Sequence, residues 1–274
     1  MYRIILLLIL LSLQACGQGG KEAKKLSTGN EKFYCAPCNS SCDTIAHAGS
    51  GKCSHCGMNL IAREAEDVKK IAAALGKRLS VAIFIHNGVE LLDFAGPGEV
   101  FAASGFNVFT VAVTEEAIIS QGFLKVIPQY SIKNCPTPDI IVLPGGATEI
   151  PMRDTEVINW IKRSVPNTVV TLSVCTGAGL LSKAGLLDGK TVTTFHNFID
   201  DLQEMTPKAK VVRNTRFVDN GSIVTTAGIS AGIDGALHVV AKLKGMAVAQ
   251  ATAENMEYDK WRSQEGLIVT TDRE

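Results

Sequence analysis

The stretch Leu172-Ser173-Val174-Cys175-Thr176-Gly177-Ala178 decides how this chain is read. An apolar, β-type run, Thr168 to Leu172, leads into it, and a helix-type run, Gly179 to Ala184, leaves it. A strand that turns sharply into a helix pushes the residue at the bend out of the sheet on a strained backbone, as in a nucleophile elbow. Here that residue is a cysteine. The N–H groups of the following helix favour thiolate over thiol, so the sequence predicts that Cys175 titrates below an ordinary thiol. The alternative is a small buried cysteine that packs as a hydrophobe.

On both sides of this bend, short β-type runs alternate with helical ones. The strands are expected at Leu79 to Ile85, Val108 to Val113, Asp139 to Leu143, Val169 to Leu172, Thr191 to Thr194 and Ile223 to Thr226, with helices including Val157 to Arg163 and Ala231 to Leu243. That alternation predicts an α/β fold, a mostly parallel sheet sandwiched by helices. Ligands in such folds sit at the carboxyl ends of the strands, where Cys175 falls.

The whole chain has 274 residues, 27 basic and 27 acidic side chains, 46% hydrophobic residues and 6% aromatics. One sizeable domain with accessories fits this length. The balanced charge and the lack of a basic, aromatic-interleaved run argue against nucleic acid as a partner. The N-terminus reads as a targeting device: Arg3, an apolar run from Ile4 to Leu13, then Leu13-Gln14-Ala15-Cys16. The run is short of the roughly 20 residues a spanning helix needs. It resembles a bacterial lipoprotein signal, with residues 1–15 removed and Cys16 lipidated. Residues 16–32, poor in apolar side chains, form a flexible tether. The expected location is the bacterial cell envelope, lipid-anchored; Gly17 after Cys16 favours the periplasmic face of the outer membrane.

Five of the eight cysteines cluster just beyond the tether: Cys35, Cys38, Cys42, Cys53 and Cys56. Two C-x2-C pairs let tight knuckles present Cys35, Cys38, Cys53 and Cys56 to one tetrahedral ion, zinc or another soft metal, with Cys42 a possible further ligand. A disulfide knot is the alternative in an oxidising periplasm. The segment 33–62, from Phe33-Tyr34-Cys35 to Cys56-Gly57-Met58-Asn59-Leu60, resembles the small heavy-metal-binding, zinc-ribbon-like domain found beside bacterial metal-efflux proteins. Its usual opening is Tyr-x-Cys-Pro-Met-His, whereas here Tyr34 abuts Cys35. Residues 63–76 read as a linker helix.

Three further motifs fall at strand ends: Leu92-Asp93-Phe94-Ala95-Gly96-Pro97, Leu143-Pro144-Gly145-Gly146, and Gly228-Ile229-Ser230-Ala231-Gly232-Ile233-Asp234. Together with Ser173-Val174-Cys175-Thr176-Gly177-Ala178 they resemble the ThiJ/PfpI superfamily, class I glutamine amidotransferase-like, with its flavodoxin-like fold. The likeness covers residues 77–262 and leaves 263–274 as a C-terminal tail. Within the superfamily the motifs most resemble isonitrile hydratases and one half of certain AraC-type regulators; too few residues follow Tyr258 for a DNA-binding domain.

The resemblance implies Cys175 as nucleophile, Asp93 as acid/base partner and Thr176 as a supporting hydroxyl, with a homodimer as the usual assembly. Asp93 could equally serve as a helix N-cap before Phe94. Gly145, Gly146, Ser230 and His196 are candidate substrate or oxyanion groups. The bland reading of the glycine pair is a strand-to-helix turn. Related enzymes carry Thr-Thr-His-Trp where this chain has Thr193-Thr194-Phe195-His196, which weakens a Cys-His pairing. The implied activity is a lyase-type hydration of an isonitrile or related small C–N electrophile through a thioimidate, with no cofactor for catalysis. Two alternatives stay open: a metal- or redox-responsive envelope protein that uses the cysteine cluster and an oxidisable Cys175, and a glyoxalase, amidase or peptidase of the same superfamily.

Overall fold

The computed structural model describes residues 32–35, 45–55, 60–63, 78–262 and 264–269. Cys16, Cys38, Cys42, Cys56 and the side chain of Cys35 lie outside them, as do the targeting segment, the tether up to residue 31 and most of the linker.

In the cysteine-rich segment, β1 (Lys32–Cys35) pairs antiparallel with β2 (Leu60–Arg63). Phe33 bridges to His47, and Tyr34 and Cys53 are buried. Among the described residues, no three His, Cys, Asp or Glu side chains converge as a metal site would require. No described helix is long and apolar enough to cross a membrane.

The main domain begins with β3 (Ser80–Phe84), whose run of β-branched and aromatic residues is buried on both faces. Its side chains alternate: Val81 and Ile83 join one core cluster, Ala82 and Phe84 another. That two-sided burial is why the strand is a continuous apolar run rather than an alternating one. After β3 come α1 (Leu91–Ala103), β4 (Asn107–Ala112), the hairpin β5 (Ile118–Ser120) and β6 (Leu124–Val126), β7 (Tyr130–Ser131) and β8 (Ile140–Leu143). Then follow α2 (Glu149–Arg153), α3 (Thr155–Ser164), β9 (Val170–Ser173), α4 (Ala178–Lys183), β10 (Thr191–Val192), α5 (Ile199–Met205), β11 (Lys210–Val211), β12 (Phe217–Asp219), β13 (Ile223–Thr226), α6 (Ala231–Lys244), α7 (Met246–Asn255) and β14 (Gly266–Ile268).

Eight strands form the central sheet in the order β14-β12-β13-β9-β8-β3-β4-β7, and only the β12–β13 pair is antiparallel. Helices α1, α6 and α7 cover one face, through Phe101, Leu237 and Ala249 among others. Helices α3, α4 and α5 cover the other, through Trp160, Leu180 and Leu202. The chain runs from β3 to β4 on one side and returns to β8 on the other. The crevice at the carboxyl ends of β3 and β8 is therefore the topological switch point, where doubly wound sheets hold ligands.

Two expectations change. Thr191–Val192 does not join the central sheet but pairs with β11 in a separate two-stranded sheet. The presumed tail contributes β14, which pairs in parallel with β12.

Candidate functional site

The bend after β9 has the geometry its sequence implies. Val174 is extended, residues Cys175–Gly177 form one 3-10 turn, and α4 begins at Ala178. Cys175 sits at φ +58°, a left-handed conformation uncommon for a residue with a side chain. A neighbouring glycine makes the bend possible: a β-carbon on Gly177 would lie 2.0 Å from the Leu143 carbonyl oxygen, so only glycine lets the turn close on β8.

Asp93 meets this cysteine from the other side of the switch point. It is the third residue of α1, behind Glu90 at the N-cap position. It caps no helix, which settles that alternative: its Oδ2 accepts a 3.0 Å hydrogen bond from the Gly145 N–H at the end of β8. The other oxygen, Oδ1, is buried without a full hydrogen bond. The Cys175 thiol and the Ile229 N–H are the further donors that act on this carboxyl. Burial lifts its pKa to about 7, helped by the charge of Glu90 and opposed by these donors.

The thiol is moved in the direction opposite to the one its sequence suggests. Burial first, and then the Asp93 charge and the hydrogen bond to it, push Cys175 up to about 12. The N–H groups of Thr176 and Ile229 pull the other way without prevailing. The following helix has six residues and starts three positions later, so its dipole is too weak to offset the loss of solvent. Cys175 and Asp93 thus form one coupled acid pair. It gives up a first proton near neutrality and holds the second far into the alkaline range.

Thr176 braces the pair. Its Oγ1 accepts from the Gly146 N–H and donates to the Gly146 carbonyl, both at 3.1 Å, which fixes the Gly145–Gly146 turn against the elbow. Gly145 has no room for a side chain: a β-carbon there would fall 2.6 Å from the Thr176 nitrogen and 2.8 Å from the Cys175 Cβ. Both glycine N–H groups are therefore engaged, Gly145 with Asp93 and Gly146 with Thr176. The N–H groups that face the sulfur belong to Thr176 and Ile229.

Ile229 is the group that sequence reasoning missed. Its φ of +57° is a strained state for a β-branched residue, and it turns the peptide N–H toward both members of the pair. Its position between Gly228 and Ser230 in the third motif was the available signal. Ser230 itself is exposed, with its Oγ 3.4 Å from an Arg216 nitrogen. His196 is also exposed; its ring lies against Phe195, and among the described residues no histidine hydrogen-bonds the thiol.

A parallel-sheet α/β domain with a strained cysteine and a proton-sharing carboxylate at its switch point belongs to the flavodoxin-like class. More narrowly, the chain belongs to the DJ-1/PfpI family, whose model matches residues 79–242. It is 33% identical over 185 residues to an isonitrile hydratase of Pseudomonas putida, covering 66% of this chain and 78% of that protein. Among solved structures it is similar to a ThiJ/PfpI family protein from Pseudomonas syringae, with a TM-score of 0.63 and 26% identity over 68% of this chain and 77% of the other. Drosophila melanogaster DJ-1beta shares the fold, with a TM-score of 0.61 and 20% identity over 66% of this chain and 98% of the other.

Proposed function

We propose that this chain is a cysteine-dependent isonitrile hydratase of the cell envelope. The observation that carries this reading is the Cys175–Asp93 pair, in which a buried carboxyl with a pKa of about 7 shares protons with a thiol. The 33% identity to an isonitrile hydratase supports it.

An isonitrile, R–N≡C, needs a nucleophile and a proton at the same terminal carbon. The Cys175 sulfur bonds to that carbon while its proton passes to the Asp93 carboxylate. Asp93 then delivers the proton to the carbon, leaving the thioimidate R–N=CH–S on the enzyme. Water adds across C=N, its oxygen to carbon and one proton to nitrogen. The tetrahedral carbon expels sulfur, the hydroxyl proton returns through Asp93 to Cys175, and R–NH–CHO leaves. Atoms and charges balance without a cofactor. The Ile229 and Thr176 N–H groups stabilise the sulfur while it bears negative charge. Thr176 acts by holding the Gly145 N–H on Asp93.

Among the described residues no histidine partners the thiol, which argues against the peptidase-type reading. The remaining parts of the proposal are the lipid on Cys16, one soft metal ion held by Cys35, Cys38, Cys53 and Cys56 in a module spanning 33–62, and a homodimeric assembly. No step of the hydration involves that metal.

The test is incubation of the purified protein with a set of small isonitriles, uncharged and charged, with the N-substituted formamide followed by mass spectrometry. Formamide that depends on Cys175 supports the assignment; its absence under saturating substrate overturns it.

A further inference from the structure

The Cys175 backbone is held through both of its polar groups. The Thr194 hydroxyl donates to its carbonyl at 2.6 Å, and its N–H donates to the Ala227 carbonyl at 3.2 Å. Thr194 and Ala227 also line a cavity of about 230 Å³, whose polar lining includes His196, Arg213, Asn214 and Arg216. The cavity therefore starts one hydrogen bond from the nucleophile's backbone and holds two guanidinium groups and an imidazole. Asn214, at φ +54°, folds the chain so that Arg213 and Arg216 flank the same space.

Three carboxylates face these cations, and they are not equivalent. Asp234, with a side chain only 5% exposed, binds Arg216 through the guanidinium Nε and one terminal nitrogen and also accepts from the Tyr258 hydroxyl. Glu265 stands 4.0 Å from the same arginine. Arg216 is thus committed to the fold. Arg213 instead pairs with Asp200 through one terminal nitrogen, and the two side chains are 55% and 86% exposed. Such an exposed pair is screened by water and contributes little, so another carboxylate can replace Asp200 at little cost. A guanidinium has five N–H donors, most of which Arg213 leaves for a ligand.

We propose that this cavity receives an anionic group of the substrate, so that the preferred isonitrile carries a carboxylate, anchored chiefly by Arg213. The inference rests on the hydratase reading and names its substrate class. A carboxylate satisfies the planar donors of Arg213 bidentately, with Asn214 and His196 as further donors at the rim.

Isocyanoacetate and its methyl ester form a matched pair of probes, differing by one charge. The acid should exceed the ester in kcat/KM by about 10-fold or more, the scale of a charge-assisted hydrogen bond. Arg213→Met should raise the KM of the acid to that of the ester, Arg213→Lys should restore part of the preference, and Asp200→Asn should lower the acid's KM a few-fold. Calorimetric titration of Cys175→Ser protein with N-formylglycine, the product of the acid, reads the same site without turnover. Equal kcat/KM for acid and ester, or N-formylglycine binding that survives Arg213→Met, overturns the anion site. If neither isonitrile is hydrated but N-formylglycine binds through Arg213, the hydratase reading falls and the anion site stands; if nothing binds, both fall.

Discussion

Replacing Asp93 by Asn should make the protein more stable and less active, and the stability gain should depend on pH. The side chain is fully buried, and burial lifts its carboxyl from 3.8 to about 7. In the unfolded chain the same group ionises near pH 4. Between those values the folded state keeps a proton that the unfolded state has released. Stability therefore falls as pH rises from about 4 to about 7, and stays lowered above that. At about 1.4 kcal/mol per pH unit over roughly three units, the loss is on the order of 4 kcal/mol at about pH 8. Asparagine has no charge to bury and escapes this cost. Its amide places a donor where the Ile229 N–H meets an acceptor, which offsets about 1 kcal/mol of the gain. The variant should unfold about 3 kcal/mol later at about pH 8, or some 6–12 °C higher, and near parity at about pH 4.5. Its hydration rate should drop by about 100-fold or more, the usual scale for a lost acid/base group. Thermal and urea unfolding of both proteins at the two pH values measures the first effect. A stability gap of equal size at both refutes the reasoning, because it would mean that Asp93 is not the group that charges.

Further outcomes follow from the structure. The kcat/KM of the wild type should rise with pH through an apparent pKa near 7, as the pair loses its first proton, and Cys175→Ser should abolish turnover with the fold intact; a rate that is flat between about pH 5.5 and 8.5 contradicts the shared-proton scheme. Gly145→Ala should push the elbow at Cys175 and Thr176 away from the end of β8, lowering stability by about 1–3 kcal/mol and the rate by about 100-fold, and a crystal structure showing an unmoved turn would refute the steric argument. Asp219, held at about 2 because bonds from His238, Lys242 and the Gly221 N–H outweigh its burial, supplies stability that is present above about pH 4 and lost as pH falls toward 2; Asp219→Asn should cost about 2–3 kcal/mol at neutrality and flatten that acid limb in urea titrations.

The strands of the central sheet were legible because β3, β8 and β9 are short apolar runs, β8 closely bounded by Pro138 and Pro144, and the elbow because a cysteine stands between strand and helix. Asp93 was legible as a site residue but not in its partner. Whether a carboxyl near a helix start caps that helix or turns away depends on Gly145, 52 positions later, and no local pattern encodes that choice. The direction of the Cys175 pKa was misread for a similar reason. Sequence shows a helix start after the thiol but not the burial and the neighbouring carboxylate that outweigh it. Ile229 defeats propensity outright: a β-branched residue at positive φ is held there by its surroundings, not by its own preference. The pairing of β14 with β12 is invisible locally, since Gly266-Leu267-Ile268 is too short to stand out as a strand.

That last strand does more than complete the sheet. It is three residues long, leaves Leu267 and Ile268 41% and 59% exposed, and stands between β12 and solvent. Without it, Phe217–Asp219 would offer unpaired amides and carbonyls along an apolar edge, a template for the strand of a second molecule. A version trimmed after Arg262 should keep Cys175 and Asp93 in place while moving the free edge of the sheet to Phe217–Asp219, and concentration-dependent light scattering of the two forms measures whether that exchange promotes self-association.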